Sequence, residues 1–333
     1  MQPFLFFKVS RVNNSKIMKS IKPNLLVCAI FLTSLANAQG VTKSFSGIKR
    51  VDLSTSSGDV RLEKGNSNEV KVQMTYTYST SDYRPILEQR GTTLVLKEEF
   101  LVKNFINGNS KWIITMPDGL EIKLNSGSGN IEASNLKIVA NVNTGSGNYS
   151  WKNVSGDSKI NTGSGDINVS AYEGQLTLNT GSGDISVDDT NGDIKANAGS
   201  GNLSLTGIKG GVQANCGSGN VKAKELQLTK KGSFNSGSGD VLVVLTTPLA
   251  YDLSIGSGSG NAVLDSHGLK LEGELVMSAN KRNGEIRAPF PFDKTEEIKE
   301  NGNNSITIRK TVQLGVSPIQ IKISTGSGTA EVI

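Results

Sequence analysis

A tandem repeat over residues 125–234 constrains what this chain can fold into more than any other feature. The segment Asn-x-Gly-Ser-Gly-(Asn/Asp) begins at Asn125, Asn143, Asn161, Asn179, Asn197 and Asn215, each 18 further along the numbering than the last, and returns at Asn235. A weaker copy ends in Gly258-Ser259-Gly260. A fixed period means stacked units, each completing its core only against its neighbours. Written under one another, the repeats become columns. Asparagine fills the first without exception, and amides stacked in register about 4.8 Å apart are able to hydrogen-bond along the stack as a ladder. The next column is small: Ser126, Thr144, Thr162, Thr180, Ala198, Cys216 and Ser236. Two glycines then flank a serine, which suits a tight turn at positive φ. Asn130, Asn148, Asp166, Asp184, Asn202, Asn220 and Asp240 follow. Those residue types close turns with their own side chains.

Beyond each turn the pattern alternates. Ile131 and Ala133, Tyr149 and Trp151, Ile167 and Val169, Ile185 and Val187 face one way, with polar residues between them. A period of two with one apolar face is a strand over a core. The second half of each unit repeats the device, as in Leu176 and Leu178, behind a second turn marked by Gly156, Gly174, Gly192 and Gly210. The predicted fold is all-β: a parallel β-solenoid (β-helix) with about 18 residues and two short strands per coil.

The run Thr162-Gly163-Ser164-Gly165-Asp166-Ile167 and its copies resemble the Gly-Ser-Gly-Asp repeats of the bacterial domain-of-unknown-function family labelled "putative adhesin". The resemblance extends from Phe45 to Ile333 and implies an exported, single-domain β-solenoid. It carries over no catalytic residues.

Residues 1–38 read as a signal peptide. Lys8, Arg11, Lys16, Lys19 and Lys22 precede an apolar run and the Ala36-Asn37-Ala38 cleavage signal, with Met18 as an alternative start. The apolar run is too short for a transmembrane span. Cys28 follows Val27, which is not small, so the pattern disfavours lipidation. The whole chain carries 35 Lys and Arg against 30 Asp and Glu; without the five leader cations the two are equal. That balance excludes a nucleic-acid partner held by a basic surface. One cysteine, Cys216, remains after processing and reads as a small packed residue.

Residues 39–124 form a less regular β region that caps the N-terminal end, with a degenerate copy at Ser56-Ser57-Gly58-Asp59. Regular repeats occupy 125–275. Residues 276–333 hold an excursion, expected as a loop or hairpin, and a final rung at Thr325-Gly326-Ser327-Gly328; 39–333 read as one domain. Phe290 and Phe292 in the excursion are candidates for a partner loop or for a cover over the open core.

The chemistry is sparse. Calcium-binding solenoids want Gly-Gly-x-Gly-x-Asp, whereas here the acid directly follows the second glycine and alternates with Asn. Acids that stack for a cation would be Asp166 and Asp184, with Asp157 and Asp193 two coils apart, whereas the carboxylates that could act as a glycosidase pair are Asp188-Asp189 and the Asp166/Asp184 stack. His267 has no partner in sequence. A threonine array for ice binding breaks at Ala198 and Cys216. No catalytic residue, metal ligand or cofactor site is assigned. The expectation is a non-catalytic, exported solenoid (periplasmic, outer-surface or extracellular) that acts as an adhesin or envelope scaffold. Its partner would be an envelope protein or a glycan. The alternative is an envelope-stress or signalling accessory; a calcium-binding solenoid and a carbohydrate-active enzyme rank below both.

Overall fold

The computed structural model describes residues 39–102, 107–299 and 305–333. The leader expected over 1–38, the alternative start at Met18 and Cys28 lie outside the described residues, as does the stretch 300–304 of the C-terminal excursion. No helix occurs among the described residues; every regular element is a strand.

The middle of the chain stacks by its own sequence order. Ile131, Tyr149, Ile167, Ile185, Leu203 and Val221 pair one to the next in parallel register, and the partner always lies one repeat further on. A second parallel ladder runs through Ala140, Ser158, Leu176, Ile194 and Val212. Alternation places one side of each strand inside, so Ile131, Ile167, Leu178, Val187 and Leu205 are fully buried, and Trp151, Tyr149 and Tyr172 are the bulkiest side chains in this part of the core. At roughly 1.5–3 kcal/mol for each large aliphatic side chain removed from water, this continuous core is the main stabilising term.

Each central coil bends three times, one more than the pattern predicted. The bend the sequence did not signal falls at Asn135, Asn153, Ala171, Asp189, Gly207 and Glu225, one per coil, with φ from 52° to 66°. A left-handed backbone favours Gly, Asn and Asp. Those types hold four of the six positions; Ala171 and Glu225 adopt the same conformation because their neighbours in the stack do. Asn153 Nδ2 donates to Asn135 Oδ1 at 2.8 Å across this bend.

Two turn expectations need correction. The glycines of Gly-Ser-Gly are not at positive φ. They are glycine because the preceding coil's backbone comes too close for a side chain: a Cβ at Gly165 would stand 1.9 Å from the Gly147 carbonyl oxygen. The second turn does use positive φ at Gly156, Gly174 and Gly192 (116°, 130° and 153°), but Gly210 does not and lies within one long strand, Leu203–Cys216. Two short strands per coil therefore describe only part of the stack. Ile131–Thr144 and Val221–Ser236 also run through the second corner, at Ile138 and Leu228, where no positive-φ glycine interrupts them.

At both ends sequence order and stacking order part company. Near the N-terminus, Arg50–Thr55 lies between Thr93–Phe100 and Leu120–Ser126, and Asp59–Lys64 lies between Ser110–Met116 and Ile131–Thr144. Near the C-terminus, Gln320–Thr325 is inserted between Leu253–Ser257 and Gly273–Asn280, and Thr329–Val332 between Ala262–Asp265 and Glu285–Arg287. The Gly-Ser-Gly copy nearest the C-terminus is thus not the outermost rung, because the excursion before it stacks outside it.

Antiparallel strands then cover the parallel edges. Tyr83–Arg90 pairs with Thr93–Phe100, and Glu69–Tyr76 with Ser110–Met116. At the other end Ile306–Leu314 pairs with Gly273–Asn280 and with Lys294–Lys299. An unpaired parallel edge is a template for aggregation, and a reversed strand ends the stack.

Candidate functional site

The repeated polar residues form three columns of hydrogen bonds. In the first, each asparagine amide donates to the one below: Asn143 to Asn125 at 3.1 Å, Asn161 to Asn143, Asn179 to Asn161 and Asn197 to Asn179 at 2.8 Å, Asn215 to Asn197 at 3.0 Å, and Asn235 to Asn215 at 3.1 Å. The ladder stops at the next coil, where Gly256 stands in register with Asn235.

The second column is internal. Thr180 Oγ1 accepts from Gly183 N at 3.0 Å and donates to the carbonyl of Gly165, one coil below, at 3.1 Å. Thr162, Ser236, Ser257 and Thr325 do the same. Cys216 substitutes its thiol: Sγ donates to the Gly201 carbonyl and accepts from Gly219 N, at 2.8 and 2.9 Å. The cysteine is buried, with its sulfur engaged in the stack. Ala198, which has no hydroxyl, interrupts the column.

The third column explains why Asn and Asp interchange. Asn148 Oδ1 accepts from the backbone N–H of Asp166 at 2.8 Å, Asp166 Oδ1 from Asp184 N at 2.9 Å, and Asp184 Oδ1 from Asn202 N at 2.7 Å. Only an acceptor oxygen is needed, which either residue supplies. These side chains bond to the next coil instead of closing their own turn.

The acids considered for catalysis or cation binding are engaged in the same way. Asp157 Oδ1 accepts from Gln175 N at 3.3 Å, and Asp193 accepts from Gly211 N at 2.9 Å and Lys230 Nζ at 2.6 Å. The Lys230 ammonium first, and the backbone donor second, hold the Asp193 carboxyl below the usual range. Asp188 accepts from Ser186 Oγ at 3.3 Å, while Asp189 sits at the left-handed bend. Among the described residues no group of three or more His, Cys, Asp or Glu could hold a metal ion. His267 lies in an exposed turn, where its N–H donates to Asp265 at 2.8 Å.

Phe290 and Phe292 are half-buried and pack against the core cluster, with ring centroids 6.4 Å apart and Lys310 Nζ 5.2 Å from the Phe292 centroid. Their apolar surface is engaged within the chain.

A polar knot near the N-terminal end had no sequence signal. Glu98, half-buried, accepts from Ser56 N at 2.7 Å and from Tyr83 Oη at 3.2 Å, and also from Ser110 Oγ. Tyr78 stacks on Tyr83 with centroids 4.5 Å apart. Its participants come from separate strands and turns, so no local spacing announces it. Burial, with the Glu98 charge second, pushes the Tyr83 phenol far up; burial alone raises Tyr149, and burial chiefly lifts Tyr172 to about 12. These phenols are structural donors. Tyr149 Oη, for example, donates to the Asn161 carbonyl at 3.1 Å.

Similar structures include a "putative adhesin" from Parabacteroides distasonis, 13% identical with a TM-score of 0.43, covering 89% of this chain and 97% of that one. A "putative adhesin" from Bacteroides fragilis is 14% identical with a TM-score of 0.32, covering 89% of this chain and 97% of that one. A "putative lipid binding protein" from Parabacteroides distasonis is 17% identical with a TM-score of 0.32, covering 69% of this chain and 90% of that one. No curated protein matches. The family model described as Toastrack DUF4097 matches residues 48–287, well over half the sequence, and the chain belongs to that family.

Proposed function

We propose that this protein is a non-catalytic, exported β-solenoid with one 18-residue repeat per coil, whose stiff outer faces bind a cell-envelope protein or glycan in the manner of an adhesin or scaffold. The observation that carries the reading is the fate of the repeated polar groups. The Asn ladder, the hydroxyl column and the Asn/Asp column join coil to coil, so the residues that dominate the sequence build rigidity and leave recognition to the outward rows. An enzyme requires a nucleophile, acid or base aimed into a cleft. Here Asp157, Asp166, Asp184, Asp188 and Asp193 accept hydrogen bonds from backbone or side-chain donors of the same stack. The expected leader supports export, and the charge balance of the remaining chain favours a partner recognised by shape and hydrogen bonding over bulk electrostatics. Rigid, pre-formed faces lower the ordering cost of association.

The test is a pull-down from intact envelopes, together with a glycan panel, using the purified protein. Saturable retention of an envelope component or glycan is expected. Hydrolysis of a glycan or peptide by the pure protein, with no retained partner, would overturn the proposal.

A further inference from the structure

A groove of ≈ 540 Å³ opens on the outer face of the sheet at the C-terminal end. Its floor exists because the last segment of the chain is inserted out of order. Lys322 lies in register between Ser254 and Val276, and Ser324 between Gly256 and Ser278. Antiparallel pairing carries these rows onward, from Val276 to Thr311 and Lys294, and from Ser278 to Arg309 and Glu296. Stretches of chain far apart in sequence therefore present one surface.

Some cations elsewhere are bridged, as Arg61 to Glu132 at 2.7 Å and Lys230 to Asp193 at 2.6 Å; the groove is distinguished by gathering bridged and unbridged cations, with hydroxyls unpaired among the described residues, in one concavity. Within the groove Lys294 bridges Glu296 at 2.7 Å, and Gln320 Nε2 donates to Glu274 at 2.7 Å. Arg309 and Lys322 form no ion pair or hydrogen bond with their side chains among the described residues, although Arg309 adds its field to the Lys294 hydrogen bond that lowers the Glu296 carboxyl. The hydroxyls of Ser254, Ser278, Thr311 and Ser324 make no hydrogen bond among those residues either. Val276, half-buried, supplies an apolar spot between them.

We infer that this groove binds a sugar bearing a carboxylate, as one unit of an acidic glycan. The two unbridged cations offer partners to carboxylates of such a glycan, with Arg309 able to take one in a two-pronged bond. The flanking hydroxyls and the oxygens of Glu274 and Glu296 offer acceptors and donors for sugar hydroxyls, and Val276 meets a ring face. The volume lies within the range of small-molecule sites. This inference rests on the envelope- or glycan-binding reading and narrows it to one face and one ligand chemistry.

The experiment titrates purified protein with trigalacturonate, its methyl ester and inorganic phosphate, by calorimetry and by amide chemical shifts. Trigalacturonate is expected to bind and to shift the amides of Ser278, Thr311 and Ser324. Arg309→Gln and Lys322→Gln are each expected to weaken it at least about tenfold, because each removes a charge-assisted contact, two-pronged in the case of Arg309. Both side chains are exposed, so melting temperatures should not change, and the shift map on unaltered protein tests the site independently of either variant. Absence of binding, equal binding of the ester, equal binding of phosphate, or shifts confined to another face would each overturn the inference. Envelope retention that survives in the double variant would overturn the groove assignment while leaving the binding-scaffold reading intact; loss of retention by the unaltered protein would remove the latter.

Discussion

The middle of this solenoid and its two ends are built from the same strand chemistry but obey different rules of assembly. Between Ile131 and Cys216 the next coil in sequence is the next coil in space, and each polar column bonds only to its nearest neighbours. At the ends a rung close to the chain terminus is enclosed by segments from further along or further back. A stack that grew only in sequence order would leave two raw parallel edges. Interleaving fixes the terminal strands on both sides, and the antiparallel strands outside them close the sheet. The regular region supplies length and stiffness; the ends supply closure, and at the C-terminus they also gather the groove around Arg309 and Lys322.

Deletion experiments test this contrast most severely. Removing residues 315–333 takes away Ile321, Ile323, Ala330 and Val332, all buried, and strips the strands on either side of the inserted rung of their partner. A loss above about 5 kcal/mol is expected from burial alone. In amide exchange the strands Gly273–Asn280 and Ile306–Leu314 should lose protection while the central coils keep theirs. Excising one whole period, residues 161–178, should by contrast leave a folded protein, because Asn179 then falls in register with Asn143. Equal damage from the two deletions would erase the distinction between middle and ends.

A smaller change separates close approach from backbone conformation as reasons for glycine. Gly165→Ala drives a Cβ against the Gly147 carbonyl. Overpacking of that kind should cost about 3 kcal/mol. Gly119 lies at φ 88° with open space where a side chain would go. For Gly119→Ala the left-handed backbone should cost only about 1–2 kcal/mol. Denaturant titration of both variants gives the comparison.

The amide ladder should be strongest in its interior. Asn161→Ala leaves the Asn143 oxygen and the Asn179 amide without their partners, whereas Asn125→Ala removes a single acceptor. The interior variant should cost about 2 kcal/mol and the terminal one about 1 kcal/mol. If both variants melted alike, the ladder would be a by-product of stacking and not a support for it.

The mildest expectation is a gain. Ala198→Thr restores a side-chain acceptor for the Gly201 N–H, in a position where Thr162 and Thr180 already serve Gly165 and Gly183. A rise of about 1 kcal/mol is expected by thermal or urea unfolding.

Much of the middle was legible in advance, because stacking in register turns a one-dimensional period into a column. Identical residues one period apart must meet, and alternation decides which face they share. The reading of Gly-Ser-Gly as a positive-φ turn failed for an equally physical reason: a glycine demanded by a neighbouring backbone looks the same in sequence as one demanded by its own torsion. The left-handed bend at Asn135, Asn153 and their equivalents was hidden because Ala171 and Glu225 dilute its Asn, Asp and Gly signature.

By itself the sequence determined an all-β chain, its apolar faces and the register of its central coils, since all three follow from short-range periodicity. Only the tertiary structure decided which rung caps which end, how Glu98 gathers its donors, and that Lys322 and Arg309 share a surface. Those outcomes depend on which free edge a distant strand fills, and an edge comes into being only once the coils beside it have folded.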